Sequence, residues 1–170
     1  MLIVLGGLPG TGKSTIAKLL ARRIGAVHVR VDTIEQAFRA SGSLSADVGP
    51  AGYFAAYGVA EDNLRVGRTV VADSVNPLGI TRAAWRAIGE RLAVGVVEVE
   101  MICSDRAEHR RRVETRTSDI AGLKQPTWQE VVDRHYEAWD REHVVVDTST
   151  KSADELVGDL ALQINVLRAP

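Results

Sequence analysis

Leu2-Ile3-Val4-Leu5-Gly6-Gly7-Leu8-Pro9-Gly10-Thr11-Gly12-Lys13-Ser14-Thr15-Ile16-Ala17-Lys18-Leu19-Leu20 decides how the whole chain is read. Within it, Gly7 to Ser14 matches the phosphate-binding loop pattern G-x-x-x-x-G-K-[ST]. Leu2 to Leu5 is a short apolar run that reads as a buried strand. Ser14 to Ile24 carries Ile16, Leu19, Leu20 and Ile24 at helical spacing. Strand, glycine loop and helix is the context the motif requires. Glycines let the backbone wrap closely around an anion with its N–H groups turned inward. The helix N-terminus adds the positive end of a dipole. Lys13 is therefore expected to reach the β- and γ-phosphates of a nucleotide, and the Ser14 hydroxyl to ligate Mg²⁺.

Working outward, 170 residues suit one domain with a sizeable core. The formal net charge is −1, from 21 basic and 22 acidic residues. That balance gives no global electrostatic case for nucleic acid or a membrane. The single cysteine, Cys103, excludes an internal disulfide and a zinc cluster, which fits a reducing cytoplasm. Met1 leads straight into the first strand without a basic n-region, so no signal peptide is expected. No apolar run approaches the ~20 residues that span a bilayer.

Strands and helices alternate along the chain. Strands are expected at 26–31, 69–72, 94–103 and 143–146, and helices at 33–41, 53–67, 81–92, 105–116, 127–139 and 152–167. A surface loop is expected over 41–52, rich in Gly, Ser, Ala and Pro. Thr127 and Glu130 form a capping-box pattern. This alternation predicts an α/β fold with a parallel sheet covered on both faces. Ligands of such sheets bind beyond the carboxyl ends of the strands. The phosphate loop, Asp32, Asp73-Ser74, Ser104-Asp105 and Asp147-Thr148-Ser149 fall at those ends.

Asp73 closes the apolar run Thr69-Val70-Val71-Ala72 and is the candidate second Mg²⁺ group. Asp32 is read at the end of the second strand, just before a helix. A carboxylate there can orient a substrate hydroxyl and accept its proton. It can also cap the helix, with Glu35 completing a capping box. Residues 105–116 hold five arginines and three acids. Most of that face reads as solvated ion pairs. Arg112 and Arg116, four apart on one face, are candidates to neutralise phosphate charge. The polar stretch 117–126 reads as a lid that excludes water. Arg39, Tyr53, Tyr57, Asn63 and Asn76 are candidates for an acceptor pocket, while the histidines and tryptophans read as structural.

With these residues in place, the chain resembles the P-loop small-molecule kinases: gluconate and shikimate kinases, chloramphenicol phosphotransferase and the zeta-toxin-like kinases. The resemblance implies a three-layer α/β fold with a five-stranded parallel sheet in the order 2-3-1-4-5. It implies a single kinase domain over 1–170, with a lid around 105–127. The implied reaction moves the γ-phosphoryl group of ATP, with Mg²⁺, to a hydroxyl of a small molecule. Lys13, Asp32, Arg112 and Arg116 would act in catalysis, and Ser14 and Asp73 would hold the metal. Gly7, Pro9, Gly10, Thr11, Gly12, Lys13, Ser14, Thr15, Arg110 and Thr148 would bind the nucleotide. No motif names the acceptor. The guanine-reading Asn-Lys-x-Asp pattern is absent. A polynucleotide 5′-hydroxyl kinase and a nucleotide-binding ATPase switch without a small acceptor are the rival readings. The expected state is a cytoplasmic monomer or homodimer.

Overall fold

Leu2, Ile3, Val4 and Leu5 are all fully buried, but in two different cores. Ile3 and Leu5 join Ile16, Leu20, Val99, Met101, Leu160 and Ile164. Leu2 and Val4 join Val29, Val70, Ala72, Trp85 and Ile88. Successive side chains on a strand point to opposite faces. A strand covered on both faces is therefore apolar at every position.

The computed structural model describes residues 1–42 and 48–168. Its elements in order are β1 (Leu2–Gly6), α1 (Lys13–Ile24), β2 (Val27–Arg30), α2 (Val31–Ser41), α3 (Ala51–Arg65), β3 (Val70–Asp73), α4 (Gly79–Leu92), β4 (Val96–Ile102), α5 (Arg106–Thr115), α6 (Trp128–Val132), β5 (Val144–Asp147) and α7 (Ala153–Arg168). All strand pairs are parallel, and the sheet order is β2-β3-β1-β4-β5. This is the expected three-layer architecture. Val4 lies opposite Ala72 on one side and Glu98 on the other, which puts the phosphate loop over the middle of the sheet. No helix among the described residues is long and apolar enough to cross a membrane.

Three local expectations change. First, β2 stops at Arg30, and Val31 already belongs to α2. Val31 is buried in the second core, which draws the chain into its helical turn two residues early. Asp32 therefore sits inside the first turn and makes no cap; the N-cap residue is Arg30, without a side-chain cap bond. Its negative charge still suits that end of the helix dipole. Second, α3 begins at Ala51, and residues 43–47 of the expected surface loop lie outside the described residues. Third, the helix expected over 127–139 ends after one turn. The capping box of Thr127 and Glu130 is present, but the helix stops at Val132. Farther along, the backbone finds other partners: Arg82 donates to the Glu137 carbonyl at 2.7 Å and the Ala138 carbonyl at 3.1 Å, and Glu137 N donates to Pro77 O at 2.9 Å.

Candidate nucleotide and acceptor site

The phosphate loop is packed so tightly that two of its glycines have no alternative. Gly7 has φ +142°, and a Cβ there would overlap the Met101 carbonyl oxygen. Gly10 has φ +88°, and a Cβ would overlap Val113 Cγ2 on α5. Both sit in backbone regions that disfavour side chains. The loop is held from outside. His109 Nε2 donates to the Pro9 carbonyl at 2.8 Å, and Thr148 Oγ1 donates to the Thr11 carbonyl at 2.8 Å. Thr11 Oγ1 closes the turn onto Leu8 O at 2.9 Å. Gly12 then caps α1, where Lys13 is buried, Ser14 is half-buried and Thr15 is exposed.

β3 delivers Asp73 beside this loop, 1% exposed and in register with Leu5 and Arg30. Its Oδ2 accepts from His28 Nε2 at 3.3 Å and lies 3.6 Å from Arg30 Nε. Arg30 also donates to Asp119 at 2.7 Å. Burial pushes the Asp73 carboxyl up. The bonds from His28 and Ser14 and the charge of Lys13 outweigh it and hold the group below its ordinary value. An ionised carboxylate beside the Ser14 hydroxyl is a pair of hard oxygen donors, the kind Mg²⁺ takes.

The arginines of α5 divide by what they touch. Arg110 is 61% exposed and pairs with Glu114, away from the loop. Arg111 pairs with Glu108 at 2.6 Å. Arg112 is engaged at each of its three nitrogens: it donates to Glu108 at 2.7 Å, Thr148 Oγ1 at 2.8 Å and Thr148 O at 3.0 Å. The bonds from Arg111 and then Arg112 pull the Glu108 carboxyl down to about 2. Arg116 differs, because its Nε is buried without a hydrogen-bond partner among the described residues. Burial lowers its pKa, Asp32 works against that, and Arg30 adds to it.

Two clefts meet at the loop. One, of about 570 Å³, is lined by Gly12, Lys13, Thr15, Lys18, Arg112 and Arg116. The other, of about 390 Å³, brings Lys13 and Ser14 together with Asp32, Glu35, Arg39 and Arg116 under residues 122–126. Lys13, Ser14, Arg30, Arg116 and Gln125 border both clefts. Of the five acceptor-pocket candidates, Arg39 lines the second cleft. Tyr53 instead accepts from Asn76 N at 2.9 Å, Tyr57 donates to Thr81 O at 3.3 Å, and Asn63 donates to Val59 O at 2.8 Å. Asn76 is fully buried at φ +51°. Thr148 joins the loop to Arg112. Beside it, Asp147 accepts from Ser104 and Ser149, which holds its carboxyl well below the usual range despite the opposing effect of burial.

Sequence reasoning missed His28, Arg30 and His109. A signal existed for the first two. In Val27-His28-Val29-Arg30 the polar residues alternate with apolar ones and share one face. His109 stands one turn before Val113, and together they form the face of α5 that closes on Gly10.

The chain aligns with solved structures along its whole length. Kti12 of Chaetomium thermophilum, in complex with ADP-AlF3, matches with a TM-score of 0.72 at 22% identity, over 100% of each chain. The APS kinase CysC of Mycobacterium tuberculosis, in complex with AMPPNP and APS, matches with a TM-score of 0.70 at 20% identity, over 99% of this chain and 97% of that one. A gluconokinase of Sinorhizobium meliloti 1021 matches with a TM-score of 0.63 at 18% identity, over 98% and 97%. At these identities the likeness establishes the fold alone, an α/β fold around a five-stranded parallel sheet. In sequence, a protein of Pyrococcus abyssi (strain GE5 / Orsay) named "Putative adenylate kinase" is 31% identical over 172 residues, which is 94% of this chain and 82% of that protein. Residues 2–139 match the AAA_33 family, described as an AAA domain, and the chain belongs to that family.

Proposed function

We propose that the protein is an ATP-dependent, Mg²⁺-requiring kinase that transfers the γ-phosphoryl group to a hydroxyl of a small molecule. One observation carries the reading: the Asp32 carboxylate shares a cleft with Lys13 and Ser14. A hydroxyl must lose a proton as it attacks, and a carboxylate at hydrogen-bond reach can accept it. An acceptor that is itself a phosphate, as an adenylate kinase would use, needs no such base. A carboxylate beside its attacking oxygen would repel it.

The geometry supports the following roles. Lys13 and the loop N–H groups hold the β- and γ-phosphates. Ser14 and Asp73 would hold Mg²⁺, which would supply positive charge against the negative charge of the transferred phosphoryl group. Asp32 orients the acceptor hydroxyl and takes its proton. Arg116, with its unpartnered Nε, is better placed than Arg112 to meet the transferred group, because Arg112 is committed to Glu108 and Thr148. Residues 117–126 border both clefts and would exclude water from them.

The test is ADP release with MgATP across hydroxyl compounds: sugars, nucleosides, aminoglycosides and phenicols, followed by mass analysis of the product. Asp32→Asn should bind nucleotide with unchanged affinity and lose turnover by roughly a hundredfold or more. Turnover near wild type in that variant would sink the base assignment.

A further inference from the structure

The cleft that holds Asp32 is lined by six basic side chains and two acidic ones. That surplus is not evenly spread. Arg30 is matched by Asp73 and Asp119. Lys13 and Arg116 face the donor side, since they also border the larger cleft. Arg39 pairs with Glu35 at 3.2 Å and remains mostly exposed. Lys124 and Arg134 are the uncommitted pair. Neither makes an ion pair among the described residues. Both act at a distance on Glu130, whose Oε2 already accepts from Thr127.

Three separate elements deliver these cations: α2 brings Arg39, the segment after α5 brings Lys124, and the turn past α6 brings Arg134. Like charges gathered in one concave site repel each other and focus a positive potential into it. Such a site is stabilised by an anion between them. Guanidinium and ammonium groups lining one cleft suit a phosphate, sulfate or carboxylate. The cleft measures about 390 Å³, the size for one small molecule rather than a polymer.

We infer that the acceptor is an organic anion: a small hydroxyl compound whose phosphate, sulfate or carboxylate group is held by Lys124 and Arg134 with Arg39, while its hydroxyl meets Asp32. This rests on the kinase reading for the hydroxyl end, and on the charge distribution alone for the anionic end. The attacking oxygen gains the γ-phosphoryl group, its proton passes to the Asp32 carboxylate, and ADP leaves.

Two measurements test it separately. The first needs no turnover. Wild-type protein saturated with MgAMPPNP, so that the donor phosphate positions are filled, is titrated with inorganic phosphate at constant ionic strength while its melting temperature is followed. A saturable upward shift is expected, and it should be lost in the double variant Lys124→Gln, Arg134→Gln. The second uses matched hydroxyl compounds with and without the anionic group, such as a sugar and its phosphate or a nucleoside and its monophosphate. Only the anionic member should be phosphorylated, and at its hydroxyl rather than on its anionic group, and the double variant should raise its KM roughly tenfold to a hundredfold with kcat less affected. No phosphate binding together with phosphorylation of the neutral members overturns the anion site and leaves the kinase standing. Phosphate binding with no transfer to any hydroxyl keeps the anion site and overturns the kinase reading. An oligonucleotide used in preference to its mononucleotide overturns the small-molecule assignment.

Discussion

His109 and Pro9 stand 100 residues apart in the chain and 2.8 Å apart in space, joined by a hydrogen bond from the ring Nε2 to the Pro9 carbonyl. The same ring stands edge-on to Trp128 of α6 at a centroid distance of 5.2 Å. The phosphate loop is thus braced by the helix that leads into the lid and by the helix that follows it. His109→Ala would leave a buried carbonyl unpaired, at a cost of about 1–3 kcal/mol. The variant should fold, melt several degrees lower and bind MgATP roughly tenfold more weakly by calorimetry. Unchanged nucleotide affinity would show that the loop keeps its shape without the brace.

Asp73 should leave a signature in the acid limb of stability. Its folded-state carboxyl is held below the ordinary value of 3.8, so the folded protein takes up this proton later than the unfolded chain does. The group's contribution is therefore fully present above the unfolded value and is lost as pH falls through the lower folded one. Wild type should lose melting temperature steeply below about pH 4. Asp73→Asn should start lower at neutral pH, because Arg30 and His28 lose their carboxylate, and then decline less steeply. Melting curves between pH 3 and pH 7 decide it; parallel declines would mean other carboxylates control the acid transition. The same variant should need more Mg²⁺ for half-maximal activity.

Arg82 is a large test of fold rather than chemistry. It is fully buried, makes no ion pair among the described residues and donates to the carbonyls of Asn76, Pro77, Glu137 and Ala138. Its guanidinium also lies over the rings of Trp139 at 4.3 Å and Tyr136 at 5.1 Å. Removing it strands several carbonyls at once. Arg82→Met should cost about 3 kcal/mol or more in denaturant unfolding. Arg82→Lys should recover little, since an ammonium cannot serve four acceptors in one plane and stack on rings. Full stability in the lysine variant would remove the geometric argument.

These residues also show what could be read in advance. The parallel sheet and the loop were legible because they rest on local signals, a four-residue apolar run, a glycine pattern and helical spacing, whereas the strand order came only through the family resemblance. Asp73 was legible because it ends such a run. Asp32 was found but placed one step wrong, since nothing local says that Val31 is claimed by the second core. The early end of α6 was illegible for a related reason. Its continuation would need the Glu137 N–H, which the Pro77 carbonyl, sixty positions upstream, takes instead. The bond between Thr148 and Thr11 spans 137 positions and leaves no trace in either neighbourhood.

Gly122 and Gln36 offer the most direct test of the lid. Gly122 has φ +76°, and a Cβ there would lie 2.9 Å from Gln36 Nε2. Gln36 stands one helical turn beyond Asp32 on α2, so the lid touches the helix that carries the candidate base. Gly122→Ala should add backbone strain of about 1–2 kcal/mol and push the segment off α2. The exposed position makes a large loss of global stability unexpected. Opening the cleft admits water. The variant should therefore transfer phosphate to its acceptor roughly tenfold less efficiently and hydrolyse ATP without acceptor faster than wild type. Adding Gln36→Ala removes the clash and leaves the strain. Partial recovery in the double variant would locate the effect at this contact, and no recovery would assign it to the backbone at residue 122.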